Sequence, residues 1–249
     1  MNYFKKIFNV LCALLFSILI LILVINSKIN LQKHQSILPF SFNDKDISYN
    51  NDKDLNMDKV PVVKREDVIN RAKAMVEVEW TPKYNIKNTD GNYTFKKGET
   101  YIGIPYTMDV YQVSSVSDFE AKIKTSKEIY GNDCSGFVSI AWGIARQTTL
   151  SIFNSLKSGS KLNGHLISQI NWEDLKPGDA LLRENGKGEG HIILYDNTDS
   201  KISDNLSIYE QNISITSNLK DLPVARKGVR SKVALKKYGY IPIRLQGLS

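Results

Sequence analysis

The sequence predicts an α+β fold, with N-terminal helices packed on an antiparallel sheet. Apolar residues at Val68, Ile69, Ala72, Met75 and Val76 recur at helical spacing, as do Phe137, Val138, Ile140, Ala141 and Ile144. Residues 180–183, 191–196, 207–213 and 238–244 are instead short β-favouring runs, separated by Gly, Asn, Asp and Ser. Helices followed by consecutive strands, rather than alternating with them, are the pattern of α+β and not of a parallel α/β protein.

The 249-residue chain opens with Lys5 and Lys6, ahead of an apolar run over residues 7–25 broken only by Asn9 and Ser17. Such a run reads as one transmembrane or signal helix, an uncleaved signal anchor or a removable signal peptide. Val24-Ile25-Asn26-Ser27 is a poor cleavage site, and Cys12 follows Leu11 where a lipoprotein cysteine would need a small residue. Both points favour an anchor over residues 1–25. Positive charge ahead of the run places the N-terminus in the cytoplasm and the remainder outside. The expected location is therefore the cell membrane, single-pass, or the medium if the segment is cleaved.

Residues 26–63 are rich in Asn, Asp, Lys and Ser with no apolar period, the composition of a flexible extracytoplasmic tether. The folded domain is then 64–249, long enough to bury a core without covalent staples. Within it, a helix over 65–79 stops at Thr81-Pro82. A polar stretch leads to Tyr101-Ile102-Gly103-Ile104-Pro105-Tyr106, and a core helix covers 134–146. Residues 150–176 mix a short helix with loops before the strands begin.

Net charge is +7, and the last thirty residues carry as much by themselves, with eight basic side chains against Asp221. A basic surface attracts polyanions. No nucleic-acid motif accompanies the charge, so wall polymers or anionic lipid headgroups are the expected partners. Cys12 and Cys134 cannot meet in one folded unit, and two cysteines with three histidines make no structural zinc set. Neither a disulfide nor a metal is expected.

Asn132-Asp133-Cys134-Ser135-Gly136 places a thiol at the first turn of the core helix. N–H groups there lack intrahelical partners, and the macrodipole makes that end positive, so a thiolate is stabilised. Asp133 doubles as an N-cap. Of the three histidines, His34 lies in the tether and His165 in a loop-like stretch that reads as solvated surface. His191 alone begins a strand after a tight turn. With the following hairpin turn centred near Ser200 and Lys201, His191 pairs across the strands with Glu210, or with Gln211 if the register slips by one. Cys134, His191 and one of those two make a nucleophile–base–orienter set for thiol hydrolysis, which needs no cofactor.

Asp133-Cys134-Ser135-Gly136-Phe137-Val138, then Pro177-Gly178-Asp179, then His191 on a strand, resemble the NlpC-type cell-wall peptidases of the papain-like cysteine hydrolase superfamily. Gly103-Ile104-Pro105-Tyr106 looks like that family's Gly-x-Pro-Tyr segment. The resemblance covers 64–249 and implies a papain-like fold and cleavage of an amide bond in peptidoglycan stem peptides. It also implies Cys134 as nucleophile and His191 as base, with Tyr106, Asp133 and Ser135 binding a substrate amine. The chain departs from the family at the third catalytic position, usually His, and lacks a Trp-Gly-Gly after the tyrosine. An acyltransferase or amidase on another substrate, or a non-catalytic wall-binding module, are the other readings.

Overall fold

The chain divides into two units, Met1–Asn56 and Met57–Ser249. A computed structural model describes residues 61–90, 92–198, 204–213 and 222–249, all in the second unit. The expected anchor, most of the tether, Cys12 and His34 lie outside the described residues. Among those described, no helix is long and apolar enough to cross a membrane.

Helix α1 (Arg65–Glu77) buries Val68, Ala72 and Met75 and carries Glu66 and Asp67 in its first turn, where the helix dipole favours acids. Two small ribbons follow. Strand β1 (Glu79–Trp80) pairs with β4 (Tyr101–Ile102), and β2 (Ile86–Asn88) pairs with β3 (Tyr93–Phe95). They present an aromatic cluster in which Trp80 packs on Phe95, Tyr101 and Phe119 with ring centroids 5.0–5.6 Å apart. Phe119 comes from α2 (Val116–Ile123), capped by Ser115. Helix α3 (Cys134–Trp142) is buried almost all round. It stops four residues short of the expected end because Gly143 turns left-handed at φ 72° and its N–H returns to Ser139 and Ile140. Helix α4 (Thr149–Ser158) starts with a Thr148–Ser151 capping box.

The later strands form one six-stranded antiparallel sheet. In chain order they are β5 (Ile167–Gln169), β6 (Ala180–Glu184), β7 (Gly190–Thr198), β8 (Asn205–Gln211), β9 (Ala225–Ser231) and β10 (Ile241–Leu245). Across the sheet they run β5-β10-β6-β7-β8-β9. Alternate residues face opposite sides, and both sides are covered. Ile192 and Leu194 join the larger core with α1 and α3, while Leu181, Ile193, Tyr195 and Ile208 pack against Leu235 of α5 (Lys232–Lys237).

The basic tail, read in sequence only as charge, supplies β9 and α5. His165 also differs from its expected surface place. It is 4% exposed, and its Nδ1 lies 2.7 Å from the Gln246 carbonyl.

Asp179 of the Pro-Gly-Asp turn is fully buried and structural. Its carboxylate takes Arg65 of α1 at 3.0 Å and Arg244 of β10 at 2.9 and 2.6 Å, and accepts the Lys176 N–H. Gly178 beside it sits at φ 89°, against Val68. Its carbonyl accepts the Trp142 indole N–H. This turn joins α1, α3, β6 and β10.

Candidate active site

Asp133 starts α3. Its Oδ1 accepts the Gly136 N–H at 2.6 Å and the Ser135 hydroxyl at 2.9 Å, and its Oδ2 meets Arg146 at 2.6 Å. The cap thereby fixes Cys134 as the first helical residue. The segment through Tyr106 is sewn alongside. The Asn132 N–H donates to the Pro105 carbonyl, the Thr107 N–H donates to that of Asn132, and the Asn88 amide donates to that of Tyr106. Gly131 is required here, because a Cβ would run into the Pro105 carbonyl. Gln211, at the end of β8, ties the same segment to the sheet by donating to the carbonyls of Ile104 and Pro105 at 3.0 and 2.6 Å. Helix start, Tyr106 segment and β8 end are thus brought together by backbone geometry.

The register between β7 and β8 differs from the expected one. Leu194 lies opposite Tyr209 and Tyr195 opposite Ile208, with a bulge before Asn197. Continued to the strand end, this sets Ile193 opposite Glu210 and His191 opposite Asn212. A shift of two residues preserves the face, so Glu210 still lies on the His191 side as a diagonal neighbour. Glu210 Oε2 is 3.7 Å from His191 Nε2. That is longer than a hydrogen bond, so the carboxylate acts on the ring through its charge. Gln211 faces the other side and is held by the Tyr106 segment.

Glu210 is 2% exposed and sits between two arginines of β9. Arg230 reaches both its oxygens at 2.7 and 3.0 Å, and Arg226, directly opposite in the ladder, reaches Oε1 at 3.3 Å. Burial disfavours its charge, but His191, Arg230 and Arg226 outweigh burial and hold the carboxyl below its ordinary range. For His191, burial opposes protonation, while Cys134 and then Glu210 favour it and push the imidazole up to about 9. Nε2 faces Glu210, which leaves Nδ1 for the thiol side. The Tyr106 hydroxyl is held protonated above its usual range, first by burial and then by the charges of Cys134, Asp133 and Asp90.

Tyr106, Cys134, His191 and Glu210 line one cleft of about 530 Å³. Asp133 and Ser135 are not among its lining residues; the cap and Arg146 occupy them. Sequence reasoning missed Arg183, Arg226, Arg230 and Tyr240. The signal for two of them was present, since Arg226 and Arg230 share one face of a strand with Gly228 between them. Among the described residues no cluster of three His, Cys, Asp or Glu side chains is placed to hold a metal ion.

Compared with models of known protein families and with curated proteins, the chain matches none. It is similar to the crystal structure of Ly7917 with the hydrolysing product of MDP, at 15% identity and a TM-score of 0.30. The match covers 72% of this chain and 61% of that one, so the chain spans about three fifths of that chain's length. Likeness of that degree bears on neither fold nor function.

Proposed function

We propose that this chain is a papain-like cysteine hydrolase that cleaves an amide bond in cell-wall stem peptides, displayed outside the membrane by its N-terminal segment. The observation that carries the reading is a thiol at the first residue of a capped helix, facing a largely buried histidine whose far nitrogen meets a carboxylate.

In the proposed reaction the Cys134 proton resides on His191, and the thiolate attacks the substrate carbonyl carbon. The oxyanion forms beside the free N–H groups at the start of α3. As the C–N bond breaks, His191 returns its proton to the leaving amine, giving an acyl-enzyme and a neutral imidazole. His191 then takes a proton from water, the resulting hydroxide attacks the thioester, and the acid product leaves with thiolate and imidazolium restored. Glu210 stabilises the imidazolium in both halves. The neutral Tyr106 hydroxyl is a hydrogen-bond donor or acceptor for substrate.

The test is digestion of purified peptidoglycan by the full chain in detergent, wild type beside Cys134→Ala, with products identified by mass spectrometry. Cleavage by wild type alone, with the melting temperature of Cys134→Ala within a few degrees of it, is expected. Equal cleavage by the variant would overturn the mechanism. Intact walls with both proteins would favour the acyltransferase or the wall-binding module.

A further inference from the structure

Arg183 stands directly opposite His191 in the β6–β7 ladder. Facing residues of an antiparallel pair point to the same side, so the guanidinium and the imidazole share the cleft. Arg183 is exposed and lines that cleft with Cys134 and Arg230. Its position is fixed by Tyr240, over whose ring it lies at 5.5 Å from the centroid; the same ring meets His191 edge-on at 6.3 Å.

Among the described residues no carboxylate pairs with Arg183. The one acid lining the cleft, Glu210, is already held by Arg226 and Arg230. Two cationic side chains directly opposite in a ladder destabilise the sheet. Among the described residues Arg183 caps no helix and bonds no carbonyl, and its stacking on Tyr240 leaves the N–H groups of the guanidinium edge without a protein acceptor. What it offers is a fork of donors beside the reacting centre, with the planar geometry that matches a carboxylate.

We infer that Arg183 is a specificity residue that binds a free carboxylate on the substrate, close to the bond being cleaved. The inference rests on the proposed function for the position of the reacting bond, but carboxylate binding stands without catalysis. The ligand is an acyl or peptide group bearing an anionic carboxyl within one side-chain length of the scissile carbonyl. An amidated counterpart would lose the charge-assisted pair.

Two measurements on the full chain test this. The first is binding of N-acetylglycine and of its neutral amide to Cys134→Ala, followed by NMR. Tighter binding of the acid is expected, abolished in the Arg183→Gln background and partly kept by Arg183→Lys. The second compares alkylation of the wild-type thiol by iodoacetate and by iodoacetamide. A charged cleft raises encounter rates with an anion by about tenfold or more. Arg183→Gln should therefore lower the iodoacetate-to-iodoacetamide ratio about tenfold, while Lys161→Gln, which removes an exposed cation elsewhere, leaves it unchanged. Equal binding of acid and amide, or a ratio untouched by Arg183→Gln, would overturn the inference. A native thiol inert to both reagents, together with Arg183-dependent binding of the acid, would instead overturn the hydrolase reading and support the carboxylate site.

Discussion

Glu210 is placed where its charge serves two directions, towards the His191 ring and towards the arginine pair on β9. Replacing it by Gln keeps the shape but leaves Arg226 and Arg230 facing a neutral group in a nearly closed site. Breaking a buried pair in this way costs about 3–5 kcal/mol, and the partial exposure of both arginines puts the expected loss at the low end. Urea denaturation of Glu210→Gln measures it; a loss below about 1 kcal/mol would show that the pairs are solvent-screened. His191 gives a pH dependence of opposite sign to the usual carboxylate. Its folded-state value of about 9 lies above the ordinary value of 6.5. Its contribution is therefore full below about pH 6.5 and is lost as pH rises through about 9. Unfolding free energy should fall across that window in wild type and fall less in His191→Gln. Equal slopes would show that the ring gains no protonated-state partner on folding.

At the scale of elements, the Pro-Gly-Asp turn is the joint of the domain. Asp179 is a completely buried carboxylate whose two arginine partners come from α1 and from β10, the first helix and the last strand among the described residues. Asp179→Asn retains the hydrogen-bonding shape but removes the charge that both guanidinium groups face. It should destabilise by about 3 kcal/mol, and a thermal melt reads the loss directly. Since α1 packs on α3 and α3 carries Cys134, native-state hydrogen exchange should quicken in both helices. Loss confined to the turn would mean that the elements are held by their apolar faces alone. The charge-rich tail behaves similarly: the residues that set the net charge also supply β9, and through Arg226 and Arg230 that strand reaches the catalytic carboxylate of the proposed mechanism.

Over the whole molecule, local pattern and tertiary arrangement divided the information. Helices α1 and α3 were legible because their apolar residues recur at helical spacing, although α3 is buried almost all round and not along one stripe. Strands β6, β7, β8 and β10 were legible because β-favouring residues lay between turn residues. Strand β9 was hidden: Ala225-Arg226-Lys227-Gly228-Val229-Arg230-Ser231 has no apolar alternation, and sequence alone reads it as solvated charge. The small ribbons β1–β4 and β2–β3 were hidden as well, since two- and three-residue strands carry no period. Cys134 and His191 stood out by residue type and by their places at a helix start and a strand start. The diagonal register of Glu210 against His191, the diversion of Gln211 to the Tyr106 segment, the burial of His165 and the approach of Arg183 to His191 did not. Each depends on register and on contacts between residues tens of positions apart, and a two-residue shift in a hairpin is invisible to composition. By itself the sequence determined the order of α1, α3 and the strands β6, β7, β8 and β10, and the reactive residue types, because these follow from local periodicity and chemistry. Only the tertiary structure decided between Glu210 and Gln211 as the neighbour of the histidine, and which arginines surround the carboxylate, because those contacts exist only once the sheet has closed.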